Sequence, residues 1–302
     1  MGTDWQNEVF NANAPKEEHQ VSISGGTEKS KYYLSGSYYN QEGIVGGDYG
    51  RSNYRRYSFR ANSEYLLLDT KERNYLNKFV LTQNVSYANI RSTGISTNSE
   101  YGSPLGSALI LSPTMDPYAD TDAEIDAVNG KTQTPVYDKL TGKLLNIAGD
   151  KYNEITNPLG QLSLPPSVGL ANKFVAGFSA EFTLWDNLKV KSSFNNDISF
   201  WENNGYNIKY YLGPSSNNTI NNVYSSMNRS WVWQLENTIS YDKKIDKHSF
   251  AIVLGQSAKK TTGRFISGQR QNMIAEDPTK ANLDFTVSDK LGEQKVGGSL
   301  FD

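Results

Sequence analysis

Strict alternation of apolar and polar side chains between Leu188 and Phe200 constrains this chain more than any other feature of its sequence. One set of alternate positions in that stretch is apolar at 5 of 7 places, whereas the interleaved set is apolar at 0 of 6. Successive side chains of a β-strand point to opposite faces of its sheet, so the pattern predicts a strand with one dry and one wet face. The pattern recurs at 57–67, 174–184 and 231–241, and less regularly at 19–25, 31–42, 75–91 and 248–258.

These repeats predict an all-β chain with about eight antiparallel strands, several of them 11 to 15 residues long. Strands of globular proteins cluster near ~5–6 residues, whereas crossing a bilayer at a tilt takes roughly 9–11 residues. A transmembrane helix is excluded because the mean hydropathy is −0.60 and no apolar run is long enough. Strand length therefore favours a segment of a transmembrane β-barrel, whose strands are only half apolar.

The connections between the predicted strands alternate strictly between short and long. Short connections fall at 26–30, 69–74, 185–187 and 242–247, and long ones at 43–53, 92–172, 202–226 and from 259 onward. One rim of the sheet then carries tight turns and the other carries large loops, as in outer-membrane barrels. We expect residues 92–172 to form a long, poorly ordered extracellular loop. Because the first connection is short, the first strand begins on the loop side, and we expect further strands before and after these residues.

Composition excludes several kinds of chemistry. The 302 residues carry a formal charge of −2, which gives no electrostatic reason to expect nucleic acid as a partner. No cysteine is present, which excludes disulfides, thiolate metal sites and cysteine nucleophiles within these residues. The Ser-x-x-Lys match at Ser257 to Lys260 lies at a predicted strand end without companion motifs. We therefore predict no enzymatic activity.

An acidic run from Asp116 to Asp126 is the one candidate for a bound metal ion. Its carboxylates fall at alternate positions, as in calcium loops. Ile125 stands where such a loop has its glycine turn, and Lys131 stands where the bidentate glutamate belongs. We favour a solvated loop without a cofactor, with calcium as the alternative.

Five segments carry a resemblance to a known family. They are "DWQNEVF" (4–10), "HQVSISGGTEKSKYYLSGSYYNQEGIV" (19–45), "YRRYSFRAN" (54–62), "LSPTMDPY" (111–118) and "NPLGQ" (157–161). Together and in this order they resemble the early barrel of SusC/RagA-type TonB-dependent outer-membrane transporters. The resemblance implies that residues 1–302 are part of a barrel of about 22 strands, without its plug domain and remaining strands, and that 92–172 is an extracellular loop within it.

The resemblance also implies a location, partners and a cargo. The protein would lie in the outer membrane of a Gram-negative cell, with a SusD-like surface lipoprotein over its extracellular mouth. Import of oligosaccharides or peptides would be powered through the TonB complex. No plug domain or TonB box is recognisable in these residues, so energy coupling would reside outside them.

Two sets of residues are candidates for contact with cargo or partners. Charged residues predicted on wet strand faces would line the barrel interior and contact polar substrate or the plug: Arg56, Arg60, Glu64, Glu181, Lys189, Lys191, Asp197 and Glu236. The alternative is that they only solvate the interior or form ion pairs. Loop aromatics would stack on sugar rings or grip the lipoprotein: Tyr49, Tyr101, Tyr118, Tyr206, Tyr210 and Tyr211. For each of these tyrosines the alternative is packing within the loops.

Three tryptophans near the loop side, Trp201, Trp231 and Trp233, are expected to belong to an interfacial aromatic girdle. Two other functions stay open. A soluble, secreted β-sheet protein that binds glycans would share the alternating strands. A glycan-cleaving β-protein would need a pair of carboxylates across a cleft, and the sequence singles out no such pair.

Overall fold

The computed structural model describes residues 2–70, 75–96, 99, 102–149, 151–152, 154–185, 187–287 and 295–301. Most of these residues form one open, nine-stranded antiparallel sheet with β1 and β11 at its edges. Across the sheet the strands are β1 (Lys16–Gly26), β2 (Ser30–Glu42), β3 (Asn53–Asp69), β4 (Leu76–Thr93), β5 (Val168–Leu184), β6 (Leu188–Asn207), β9 (Asn222–Ile245), β10 (His248–Gln271) and β11 (Lys295–Phe301). A separate hairpin of β7 (Tyr210–Gly213) and β8 (Ser216–Asn218) lies between β6 and β9 in the chain.

Strand register defines two faces of this sheet. One row of paired residues runs from Ser35 through Arg60, Ser86 and Val175 to Asp197. The adjacent row runs from Leu34 through Ala61, Val85 and Ala176 to Asn196. Because paired residues share a face, we call the side that carries Ser35, Arg60 and Asp197 the polar face and the opposite side the apolar face. The alternation in the sequence is thus preserved from strand to strand.

The predicted alternation of short and long connections is confirmed. The connections at one end of the sheet are short, at 27–29, between Leu184 and Leu188, and at 246–247. The connections at the other end are long, at 43–52, between Thr93 and Val168, at 208–221 and between Gln271 and Lys295. The predicted turn at 69–74 lies partly outside the described residues. The sheet therefore has a turn side and a loop side.

Several strands are longer than predicted. We expected an open tail from residue 259, but β10 continues to Gln271 and pairs with β11. Apolar-face positions Lys260, Thr262 and Arg264 interrupt the hydrophobic pattern there, while backbone pairing with β9 continues. At 24 residues each, β9 and β10 are about twice as long as the roughly 9–11 residues that cross a bilayer. Their loop-side ends therefore project beyond an apolar layer of that thickness.

The expectation of a poorly ordered excursion at 92–172 is wrong. Its described residues contain three helices, α2 (Pro104–Ile110), α3 (Asp122–Lys131) and α4 (Pro158–Ser163), and α1 (Trp5–Val9) precedes the first strand. We call α1, residues 43–52, the described part of 94–167 and the β7–β8 hairpin the loop cap. Their buried side chains form one hydrophobic core, which includes Trp5, Leu159, Leu162 and Leu212. No helix in the described residues is long and apolar enough to span a membrane.

Candidate functional site: a polar sheet face and a packed loop cap

All eight charged candidates lie on the polar face. Register connects Arg60 to Asp197, and strand alternation adds Arg56, Glu64 and the lysines of β6. Glu181 is directly opposite Lys191, while Glu236 is opposite Ser193. Their part in contacting substrate or a plug stays a prediction, but the sheet places them on one continuous surface.

Polar side chains from five strands surround a groove of about 390 Å³ on this face. Its walls include Glu18 and Gln20 on β1, Arg56 and Arg60 on β3, and Lys173 on β5. The Arg56 guanidinium carbon lies 5.6 Å from the ring centroid of Tyr39, close enough for a cation–π contact. Carboxylate, amide and guanidinium groups in one groove can bind a polar solute through many hydrogen bonds.

Two of the eight charged candidates, Glu64 and Asp197, form ion pairs on the polar face. Lys173 Nζ lies 3.0 Å from Asp197 Oδ2, and Lys31 Nζ lies 3.1 Å from Glu64 Oε1. All four side chains are at least one-third exposed, so each pair contributes little to stability. For Asp197 and Glu64 the ion-pair alternative therefore fits the geometry, and both carboxylates remain accessible to a ligand.

A buried carboxylate, Asp138, organises the loop cap. It is 2% exposed and accepts hydrogen bonds from the hydroxyls of Tyr49 (2.8 Å), Tyr118 (3.1 Å) and Thr141 (2.6 Å). Burial raises the pKa of this carboxyl, but the hydrogen bonds from Thr141 and Tyr49 outweigh burial, and the pKa lies below its ordinary value. Burial also raises the pKa of the Tyr49 hydroxyl above its ordinary value. The cap thus contains an ionised aspartate held by neutral donors.

The structure places the loop tyrosines in different environments. Tyr49 is 4% exposed and Tyr118 donates a hydrogen bond to Asp138, so both rings pack within the loop cap, and contact of either ring with a ligand stays a prediction. Tyr210 packs against the cap core, while its neighbour Tyr211 donates its backbone N–H to Thr134. Tyr206 lies in β6 and is half-buried. Tyr101 lies outside the described residues.

Three of the five segments that carry the family resemblance meet in the cap. The indole N–H of Trp5 donates to the carbonyl of Ser112 at 3.0 Å. The buried Asn157 side chain donates to the carbonyls of Pro117 (2.8 Å) and Asn146 (3.1 Å), and accepts from the N–H of Leu159. Asn157 also caps α4. Neither Asn157 nor Asp138 is among the residues predicted from sequence, although the position of Asn157 inside one of the resembling segments is a signal that could have identified it.

Part of the acidic run from Asp116 to Asp126 lies in a helix. Asp122, Glu124 and Asp126 lie in α3, whose N-terminus is capped by Thr121, and Glu124 is the partner of that cap. Residues two apart on a helix do not face one another. Among the described residues, no group of three or more potential acidic, histidine or cysteine ligands is close enough to hold a metal ion. Calcium binding by this segment stays untested.

The expected tryptophan girdle needs one correction. Trp231 and Trp233 are on the apolar face, whereas Trp201 is opposite Ala171 and Asn228 on the polar face. The position of Trp201 is one residue out of phase with the apolar set that ends at Phe200. Trp231 also satisfies a polar group on its own face, since its indole N–H donates to Asn196 Oδ1 at 2.5 Å.

These features define a class of protein. Long antiparallel strands, one apolar and one polar face, tight turns at one end and large loops at the other are the architecture of a transmembrane β-barrel, present here as an open segment. The apolar stretches have the length that the class requires: 231–241 on β9 and 174–184 on β5 each span 11 residues, within the roughly 9–11 expected.

The chain is similar over 93% of its length to TonB-dependent receptors, and its resemblance to the SusC/RagA type is confirmed. It is 23% identical to TonB-dependent receptor P3 of Formosa agariphila over 287 residues, and 25% identical to TonB-dependent receptor SusC of Bacteroides thetaiotaomicron over 302 residues. Each alignment covers 93% of this chain, but only 25% of receptor P3 and 26% of SusC. The chain thus spans about a quarter of the length of the curated relatives it matches.

A solved structure of the RagAB peptide transporter shares the fold. Its TM-score is 0.69 at 18% identity, with 99% of this chain and 30% of that chain covered. No family model matches the sequence. The named relatives are receptors and a transporter, which agrees with the prediction that the chain is not an enzyme.

Proposed function

We propose that the chain is part of an outer-membrane, SusC-like TonB-dependent transporter that imports oligosaccharides or peptides. The observation that carries this proposal is the two-faced sheet, because a surface that is apolar over a bilayer's thickness on one side and polar on the other fits a barrel between lipid and water. The similarity to the RagAB peptide transporter supports peptides as one cargo class. Transport is the activity of the whole receptor.

The loop cap supports a surface lipoprotein as the partner. The cap has its own core, so its outer surface is held in a defined shape. Large apolar side chains nevertheless remain exposed on it, including Ile44 (64%), Leu109 (63%), Tyr137 (56%) and Leu140 (50%). Exposed apolar groups on the loop side are what a protein partner covers. A SusD-like lipoprotein is the partner we propose for this surface.

The test uses cells that express the whole receptor. Removal of oligosaccharides or peptides from the medium is measured with the proton gradient intact and after an uncoupler has collapsed it. We expect uptake that the uncoupler abolishes and that Arg56→Gln together with Arg60→Gln reduces. Uptake that persists without the gradient, or absence of any uptake from both cargo classes, would contradict the proposal.

The partner is tested separately by copurification. A lipid-anchored protein should copurify with the wild-type receptor and be lost when Leu109 is replaced by Asp. The control is Ser193→Asp, which adds the same charge to the polar face. Equal recovery from both variants would contradict a partner site on the cap.

A soluble, secreted glycan-binding protein is the second candidate. It fits the polar groove, but it leaves the apolar face unexplained, since Phe178 (49%), Ile239 (45%) and Leu254 (66%) are exposed there. Such a protein should stay monodisperse in buffer without detergent, which distinguishes the two candidates.

A further inference from the structure

Two pairs of arginines lie directly opposite each other on the apolar face. Arg55 on β3 is the register partner of Arg91 on β4. Arg229 on β9 is the register partner of Arg264 on β10. Like charges at directly opposed positions of an antiparallel pair destabilise a sheet. The same costly arrangement therefore occurs twice, at well-separated places in the sheet.

Both pairs lie where the apolar stretch ends on the loop side. Arg55 is two residues before Tyr57, and Arg229 is two residues before Trp231, so each shares a face with the aromatic residue that follows. In a membrane-spanning barrel this is the level of the lipid headgroups. The sheet thus brings four guanidinium groups to the boundary between apolar layer and water.

The residues directly beside the two pairs in register supply no countercharge. Within the described residues none of the four arginines forms an ion pair, and Arg91, Arg229 and Arg264 are exposed. Arg55 is half-buried, with its guanidinium carbon 5.9 Å from the ring centroid of Tyr57. Neutral residues flank the pairs in register: Asn40 and Leu170 beside the first, and Phe200 beside the second.

A groove of about 390 Å³ adjoins the second pair. Arg229 and Arg264 contribute its polar side, and Phe200, Met227 and Ile266 contribute apolar side chains. One carboxylate, Glu202, also lines it and accepts a hydrogen bond from the Asn204 side chain at 3.4 Å. The groove therefore combines two cations and one carboxylate with an apolar floor, and its surplus of positive charge matches an amphiphile with an anionic head.

We propose that each arginine pair binds the phosphate group of a membrane lipid whose acyl chains lie against the apolar face. The planar guanidinium fork matches phosphate oxygens in a bidentate manner, and two forks on adjacent strands can share one phosphate. A bound phosphate also removes the repulsion within each pair. This inference rests on the proposed membrane location.

The test measures lipid binding to the whole receptor in detergent by native mass spectrometry. The probes are phosphatidylglycerol and a diacylglycerol with the same acyl chains but no phosphate. The variants are R55Q/R91Q and R229Q/R264Q. The matched control is K189Q/K191Q, which removes two positive charges from the polar face. We expect each arginine variant to bind phosphatidylglycerol about tenfold more weakly, as loss of one charge-assisted interaction implies, and the control to bind like wild type.

Three results would overturn the inference: equal binding of phosphatidylglycerol and diacylglycerol, equal loss in the control, or displacement of the lipid by an equal concentration of inorganic phosphate. The last would identify free phosphate as the ligand. Membrane insertion of the wild-type receptor is measured in parallel by heat-dependent electrophoretic mobility. Failure of insertion contradicts the proposed function itself, whereas normal insertion with unchanged lipid binding in the arginine variants contradicts only this inference.

Discussion

Replacement of Asp138 by Asn should loosen the loop cap without affecting the sheet. Asp138 accepts hydrogen bonds at both carboxylate oxygens, from Tyr49 at Oδ1 and from Tyr118 and Thr141 at Oδ2. An asparagine offers an acceptor at only one of these positions and places an NH₂ group against donors at the other. At least two hydrogen bonds to a charged acceptor are then lost, at roughly 1.5 kcal/mol each, which destabilises the cap by about 3 kcal/mol.

The assay is hydrogen exchange of the cap amides in the detergent-solubilised receptor. About 3 kcal/mol corresponds to a roughly hundredfold loss of protection in residues 104–163, if these residues open as one unit. The control is Asp120→Asn, because Asp120 lies in the same cap but forms only an exposed ion pair with Lys143, at 3.3 Å. Equal protection in the two variants would refute the role given to Asp138.

The same interaction predicts how cap stability depends on pH. The pKa of Asp138 is lowered in the folded state, so its contribution is fully present above the ordinary aspartate pKa near ~4 and is lost as the pH falls through the lowered value. Four charged groups lie next to this network. Glu8 has a pKa that is raised chiefly by burial, and Lys139 donates to the Tyr49 carbonyl. Lys143 Nζ lies 5.0 Å from the Tyr118 ring centroid, and Asp48 precedes Tyr49. As the pH falls from about 5 through the ordinary aspartate pKa near ~4 and below, cap protection should therefore vary less in D138N than in wild type.

Three further substitutions test separate parts of the structure. Asn157→Ala should destabilise the cap by about 2–3 kcal/mol, because two carbonyls and the Leu159 N–H lose their partner in a buried site; limited proteolysis of the cap measures this. Gly160→Ala should cost about 1–3 kcal/mol by the same assay, since the added methyl overlaps the buried Leu212, whereas Gly149→Ala meets no neighbouring atom and should be neutral. Leu235→Arg should make the free energy of membrane insertion less favourable by roughly 2–4 kcal/mol, because Leu235 is on the apolar face, whereas Gln234→Arg on the polar face should have no such cost. Equal heat-dependent mobility of the two variants would contradict this assignment.

The strands and their two faces were predictable from sequence because the alternation that defines them lies within short, continuous stretches of the chain. Alternation along β5 and β6 identifies strand and face together, since each residue of a strand points to one side or the other. The prediction failed where side-chain type and backbone pairing disagree. Lys260 on the apolar face ended the predicted strand early, although β10 stays paired with β9 to Gln271. Trp201 was assigned by residue type rather than by its odd position in the alternation.

The loop cap was not predictable in the same way. Its core joins Trp5, Tyr49, Leu159 and Leu212, which are distant in the sequence and follow no period. Its helices are of 5 to 10 residues, too short to give a helical pattern. The buried position of Asp138 depends on donors from residues 49, 118 and 141, and nothing in a single sequence connects these positions.

In the proposed barrel the apolar face of the sheet contacts lipid and the polar face contacts water. The 302 residues contain no cysteine. Single cysteines are therefore placed along β6 at 193–198, in a whole receptor from which any other cysteine has been removed. Labelling by a water-soluble maleimide is measured in membranes and after denaturation. We expect labelling at Ser193, Asn195 and Asp197 and protection at Phe194, Asn196 and Ile198, even though Asn196 is polar. Labelling without a two-residue period, or protection of the polar face in place of the apolar one, would contradict this expectation.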